Sequence, residues 1–145
     1  MTHKRKHRLH TLLSGLALGA ALSVAPIHAK DGYPPLDLLL QSQTTVIGQS
    51  FSYATGTAEV TVAIVTMQPG ETTAWHLHDA PLIAHILEGE VTLDYGSDGT
   101  RTFTAGDTFV EAFKSRHRGT NSGKDILRIL AVFAGAAGTA NTLLE

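Results

Sequence analysis

Short apolar runs rich in β-branched and aromatic residues make up most of the chain after residue 43. Glycine, proline, aspartate and asparagine lie between the runs, and these residues initiate turns or accept positive φ. No run repeats its apolar positions with a helical period, and many short, evenly spaced strands are typical of an all-β sandwich or barrel. The pattern therefore predicts an all-β fold. The predicted strands span residues 44–51, 59–67, 73–78, 82–87, 91–95, 101–104, 107–110, 116–118 and 126–133.

The strand predicted at residues 59–67 is apolar on both faces. Val60, Val62 and Ile64 share one face, whereas Val65 and Met67 share the other, because side chains alternate along a strand. We expect such a strand to be buried on both faces. Its outer face would then be covered by the N-terminal arm or by a second subunit, so we expect a homodimer.

The first 29 residues differ in composition from the remainder. Four basic residues between positions 4 and 8 precede an apolar stretch at residues 12–24, and Ala29 is a small residue at a plausible cleavage site. This layout predicts a secretory signal peptide over residues 1–29, and a periplasmic or secreted mature protein with no membrane association after cleavage. An uncleaved anchor is the alternative, although the stretch is shorter than the roughly 20 residues of a membrane span.

The rest of the chain divides into three parts. Residues 30–42 form an N-terminal arm, in which residues 36–40 are either a helical turn or extended. Residues 43–134 form the predicted barrel, and residues 135–145 form a small-residue-rich tail that we expect to be extended.

Charge and cysteine content restrict the partners and the types of site that are possible. Four of the 11 basic residues and none of the 13 acidic ones lie before residue 30, which leaves 7 against 13 and a net charge of −6. Nucleic acid is therefore excluded as a partner, because phosphate binding needs clustered lysine and arginine. The chain has no cysteine, which excludes disulfides, thiolate metal sites and cysteine nucleophiles.

Four histidines remain after residue 29: His76, His78, His85 and His117. His76 and His78 are two residues apart, which places both imidazoles on one face of a strand. Neutral imidazole is a common ligand for zinc, iron, nickel and manganese. We therefore predict a divalent metal site at these residues, with His117 as the third ligand supplied by the barrel.

Two motifs surround these histidines. The first contains Gly70, His76, His78 and Gly89, and the second contains Gly106, His117 and Asn121. Both resemble the motifs of the cupin superfamily, whose members have a double-stranded β-helix, or jelly-roll, barrel. The resemblance covers residues 56–133 and implies that fold for this chain. In the second motif, Ala112 and Lys114 replace the usual proline and second glycine, and Asn121 is expected to hold the loop after His117.

The first motif departs from the family at one position. Its glutamate, a metal ligand in the family, corresponds to Leu82 here. The resemblance therefore implies a site of three histidines with positions open for water and substrate. The alternative is that loss of the carboxylate abolished metal binding and left a relic pocket.

Two other residues are candidates to replace that glutamate. His85 lies three residues after Leu82, so strand parity turns it away from the barrel axis if Leu82 points inward. Glu111 lies in an apolar run, where a charge is costly unless it is paired, exposed or near a metal. It is a candidate catalytic acid or base of the pocket; the alternative is an ion pair with Arg116 or Arg118.

The resemblance implies a metal-dependent enzyme of the dioxygenase, isomerase or lyase type, acting on a small oxygen-rich or anionic molecule. Since the fold does not select the reaction, a non-catalytic barrel that binds or senses a small ligand, with or without metal, remains the second hypothesis. A vestigial barrel with a functional dimer surface is the third.

Overall fold

A computed structural model describes residues 34–145 of the chain. The predicted signal peptide and residues 30–33 of the predicted arm lie outside the described residues. Within the described part of the arm, residues 34–42 contain neither helix nor strand, so residues 36–40 form no helical turn. None of the described residues belongs to a helix long and apolar enough to cross a membrane.

Nine β-strands and one 3₁₀ turn make up the regular structure of the described chain, which confirms the predicted all-β fold. Most strands lie within a few residues of their predicted positions. The strands are β1 Ala58–Met67, β2 His76–Leu77, β3 Leu82–Glu88, β4 Glu90–Asp94, β5 Thr100–Thr104, β6 Thr108–Val110, β7 Arg118–Asn121, β8 Leu127–Ala136 and β9 Leu143–Leu144, and the 3₁₀ turn is Gly96–Asp98.

The strands form two main antiparallel sheets that face each other, as in a jelly roll. One sheet has the order β1-β8-β3-β6 and the other has the order β5-β4-β7. The short pair β2-β9 adjoins the second sheet through a bridge between His76 and His117. Side chains of both sheets meet in a buried core. Its buried members are Met67, Ala84, Ile86, Val91, Leu93, Tyr95, Phe109, Ala112 and Leu127.

The described chain by itself leaves the outer face of the first long strand uncovered, so residues 34–42 of the predicted arm do not provide the expected cover. β1 is the edge of its sheet and pairs only with β8. Its outer face is open, and the exposed fractions of Val60, Val62 and Ile64 are 62%, 61% and 49%. Nothing in the described chain covers these three side chains.

Three further differences from the predicted elements have local causes. Residues 44–51 form a tight loop instead of a strand, because the backbone N–H and the hydroxyl of Thr45 both bond to Gln49. The strand predicted at residues 116–118 begins at Arg118 and continues to Asn121. The tail is not merely extended: β8 runs on to Ala136, and β9 returns to pair with β2.

Gly89 lies in the tight turn between β3 and β4 and has a φ of +81°. A side chain is excluded there, because a Cβ atom would lie 2.6 Å from the carbonyl oxygen of Ile126. The glycine thus lets β4 reverse direction directly against the start of β8. Lys114 is the one described non-glycine residue with positive φ (52°), and it stands where the resemblance expects glycine.

Candidate metal centre

Backbone pairing places the three predicted ligands next to one another. His76 and His117 exchange two backbone hydrogen bonds of 2.9 Å each, so their side chains stand side by side on the barrel interior. His78 follows His76 by two residues and therefore projects from the same face. His78 lies directly after β2, and the N–H of Lys114 donates to its carbonyl at 3.0 Å.

The three imidazoles form a compact triangle. Their ring centroids lie 4.5 to 5.0 Å apart, and one nitrogen from each ring lies within 4.8 Å of the others. Nitrogen ligands about 2.1 Å from one ion are themselves about 3.0–3.4 Å apart, so small side-chain rotations suffice to bring all three onto it. The group fits a divalent metal site.

Hydrogen bonds select which nitrogen of each ring is available. The Nδ1 atoms of His76, His78 and His117 lie 2.8, 2.8 and 2.9 Å from the carbonyl oxygens of Ala74, Asn141 and Ser115. A carbonyl oxygen only accepts, so each Nδ1 carries the proton and each Nε2 keeps its lone pair. This arrangement is the one that orients histidine ligands in metal sites.

The imidazoles are also held in the neutral form that a metal requires. Burial lowers the pKa of His76, of His117 and, most strongly, of His78, whose pKa falls to about 3. The carbonyl partners oppose this effect, since they stabilise the protonated ring. Burial prevails, so the three rings are neutral at physiological pH.

The strand segment next to Leu82 carries a carboxyl group beside the triad. Leu82 points into the cavity, and the pairing of β3 with β6 continues so that the N–H of Glu111 donates to the Leu82 carbonyl at 2.9 Å. Glu111 is therefore the cross-strand neighbour of the position where the motif has its glutamate. Its Oε2 lies 3.9 Å from Nε2 of His117.

Glu111 is buried and bound by two donors. Tyr95 donates its hydroxyl to Oε1 at 2.7 Å, and the N–H of Ala112 donates to the same oxygen at 2.7 Å. Burial raises the pKa of Glu111 from 4.5 to about 7, although both hydrogen bonds lower it. A carboxyl group with this pKa can hold or release a proton near neutral pH.

The surroundings of Glu111 and His85 distinguish between the alternative roles predicted for these two residues. Glu111 pairs with neither arginine, because Arg116 pairs with Glu145 and Arg118 pairs with Asp94. His85 faces away from the cavity, and its Nδ1 lies 2.7 Å from the hydroxyl of Thr108.

Asn121 holds the loop after β7. Its side-chain amide donates to the carbonyl oxygens of Met67 and Asp125, and its side-chain oxygen accepts the N–H of Gly123. Asn121 thereby fixes the course of the chain beyond His117 without contacting the cavity.

The triad opens into a cavity of about 280 Å³ between the two sheets. Its wall is mostly apolar, and no described lysine or arginine lines it. The polar groups are the three histidines, Glu111, Thr73 and Thr142. The apolar lining includes Val65, Met67, Leu82, Ala84, Val91, Leu93, Phe109, Ile129, Ala131, Phe133 and Leu144.

Sequence reasoning missed two contributors to this site. Tyr95 ends a predicted strand, and nothing local distinguishes it from a core aromatic; only its bond to Glu111 does so. Asn141 lies in the tail, 63 residues from His78 along the chain. No local pattern reports a backbone carbonyl contact across that separation.

The fold and the site together define a jelly-roll barrel whose three-histidine group fits a divalent metal. Residues 63–133 match the family model of the cupin domain, so this part of the chain is a cupin domain. No curated protein matches the sequence significantly.

Solved cupin structures resemble the chain over its barrel. Oxalate decarboxylase from Lactobacillus farciminis, in a formate complex, is 26% identical with a TM-score of 0.51, over 59% of this chain and 26% of its own. An oxalate oxidase in complex with glycolate has the same identity and TM-score, over 59% of this chain and 45% of its own. The chain thus spans less than half the length of either protein.

The polyketide cyclase RemF from Streptomyces resistomycificus is 17% identical with a TM-score of 0.51, over 61% of each chain. At that identity, the similarity to RemF shows the fold alone.

Proposed function

We propose that this protein is a metal-dependent cupin enzyme in which His76, His78 and His117 hold one divalent ion. The observation that carries the proposal is the convergence of three neutral imidazoles, each with Nδ1 bound to a backbone carbonyl and Nε2 left free. Iron, zinc, nickel and manganese all suit imidazole ligands. The bound ion would supply Lewis acidity towards an oxygen atom of the substrate or of water.

The protein's own residues would position and deprotonate the substrate. Glu111, 3.9 Å from His117 and with its pKa near 7, is placed to accept a proton from a molecule seated beside the triad. Tyr95 fixes the orientation of that carboxyl group through its hydroxyl. The apolar walls would exclude water from the reacting atoms.

The cavity also restricts the substrate class. Two of the similar proteins are named for oxalate, which is a dianion, but no described cationic side chain lines this cavity. A small molecule with one oxygen-bearing end and an apolar body suits the cavity better, since the oxygen would face the triad and the body would contact the aliphatic wall. Dioxygenase, isomerase and lyase chemistry all remain consistent with this arrangement.

The second candidate function is a non-catalytic barrel that binds a small ligand, with or without metal. The largely apolar wall favours it, because binding sites for such ligands are mostly apolar with few polar groups. Under this alternative Glu111 would serve as a hydrogen-bonding group and not as a proton acceptor.

Metal analysis tests the proposal directly. The chain lacking residues 1–29, prepared without a histidine tag, is reconstituted with each of the four metals and assayed by mass spectrometry. We expect about one metal per chain, and a loss of binding in the H76A/H117A variant. Less than about 0.2 metal per chain for every metal would overturn the proposal.

A substrate panel, assayed on the native chain and on the E111Q variant, then separates an enzyme from a binding protein. Turnover that needs Glu111 excludes the second candidate function.

Export is a further proposal, supported by the basic and then apolar order of residues 1–29. Amino-terminal sequencing of the protein from a periplasmic fraction should begin near Lys30. A sequence beginning at Met1 or Thr2 would contradict cleavage.

We also propose a homodimer formed through the outer face of β1, with a second copy as the covering surface. The support is the exposed row Val60, Val62 and Ile64 on an edge strand, whose free backbone groups can pair with the same strand of a partner. Sedimentation should give a dimer for the native chain and a monomer for V62K. A native monomer at tens of micromolar would exclude it.

A further inference from the structure

We propose that residues 140–145, here called the strap, form a working part of the metal centre. The backbone carbonyl of Asn141 positions His78 for metal binding, and Leu144 forms part of the cavity wall. The metal role of His78 rests on the function proposed above, whereas the positioning contact itself does not.

The course of the tail brings the strap to the site. After β8 the chain reverses at Gly138, which has a φ of +84°, and the N–H of Thr139 donates to the Ala136 carbonyl at 2.8 Å. The strap then runs back along the ligand strand. Leu143 pairs with Leu77 and Leu144 pairs with His76. A turn and a strand pair thus place it against two of the three ligand positions.

His78 depends on the strap in a way that the other two ligands do not. Nδ1 of His76 and of His117 bond to carbonyls two residues earlier in their own segments. Nδ1 of His78 bonds to Asn141 at 2.8 Å, and the next polar atom is the Thr142 hydroxyl at 3.4 Å, also on the strap. Release of the strap therefore removes the acceptor of His78 alone.

The strap is held to the barrel by few contacts. Its strand is two residues long, and the exposed fractions of Leu143 and Leu144 are 41% and 76%. The side chain of Glu145 pairs with Arg116, whose guanidinium lies 4.3 Å from the ring centre of Trp75. Exposed ion pairs stabilise little, and elements with little buried apolar surface open without global unfolding. The strap can therefore detach while the barrel stays folded.

The test compares the native chain with a chain that ends at Thr139, and with L143A as the matched control. L143A changes a strap side chain that does not line the cavity, and it keeps the Asn141 carbonyl. The first readout is the nitrogen-15 spectrum of the histidine rings, recorded without metal, which distinguishes the Nδ1–H from the Nε2–H tautomer. In the shortened chain we expect a changed tautomer signal for His78 and unchanged signals for His76 and His117.

The second readout is affinity for zinc, measured by competition with a chelating dye. We expect the shortened chain to bind about 10–100-fold more weakly, as is typical when a partner that orients a ligand is lost. L143A should bind within about twofold of the native chain. Unchanged His78 signals in the shortened chain, or unchanged zinc affinity in it, would overturn the inference.

The two proposals fail in distinguishable ways. A native chain that binds none of the four metals contradicts the metal function, yet the nitrogen-15 comparison still tests the contact between the strap and His78. If the shortened chain does not fold, L143P in the full-length chain provides the same comparison, because proline removes the N–H that a paired strand uses. Retention of the native His78 signal in L143P would likewise overturn the inference.

Discussion

Glu111 is a buried carboxyl group whose ionisation costs stability, and replacing it with glutamine should stabilise the metal-free protein. Its pKa is raised from 4.5 to about 7. At pH 4 both the folded and unfolded states carry the proton, so there is no penalty. Between pH 4.5 and 7 the unfolded chain releases the proton and the folded chain keeps it, so stability falls as the pH rises. Above pH 7 both states are ionised and the penalty is constant.

The size of the penalty follows from the difference in pKa. Each pKa unit corresponds to about 1.36 kcal/mol, so the full penalty is about 3 kcal/mol at pH 8. The E111Q variant retains an oxygen that accepts from Tyr95 and Ala112, and it adds no charge. It should therefore match the native chain to within about 1 kcal/mol at pH 4.5 and exceed it by about 2–3 kcal/mol at pH 8.

Urea unfolding at four pH values between 4.5 and 8, with a chelator present, measures this difference. Burial, which lowers the pKa values of the histidines, is common to both chains, and Glu111 has the smallest of the influences that shift the pKa of His76, so the histidine contributions largely cancel in the comparison. E88Q, which changes an exposed glutamate at the end of β3, controls for the loss of one negative charge. A stability difference that does not change with pH, or an E111Q chain less stable than the native one at pH 8, would refute the reasoning.

Four other substitutions test the remaining structural claims. K114G should raise the melting temperature by about 4 °C, because glycine relieves about 1 kcal/mol of strain at a φ of 52°; a lower melting temperature would contradict that strain. G89A should destabilise the chain by about 2–3 kcal/mol in urea, since its Cβ would meet the Ile126 carbonyl at 2.6 Å; a change below about 0.5 kcal/mol would show that the turn adapts. H78A should weaken zinc binding at least about tenfold whereas H85N leaves it unchanged, because His78 belongs to the triad and His85 faces away from it. Equal losses of zinc affinity in both variants would contradict the ligand assignment.

How much of this site was predictable depended on the distance between the contributing residues along the chain. The spacing of His76 and His78 places their side chains on one face whatever the surroundings, since alternation is a property of the strand itself. Strand parity likewise predicted that His85 turns away from the cavity once Leu82 points inward, and it does. Strand parity did not predict whether the outer face of β1 is covered. An apolar pattern on both faces is compatible with burial or with an open surface, and only the sheet order shows that β1 is an edge.

By itself, the sequence determined the all-β class and the shared face of His76 and His78, because both follow from local periodicity within one segment, whereas His117 was predicted from the resemblance of the second motif. Only the tertiary structure decided that Glu111 stands opposite Leu82, that Tyr95 fixes its carboxyl group, and that Asn141 orients His78. These contacts join residues that are distant along the chain, and the strand register that brings them together is set by the packing of the whole barrel.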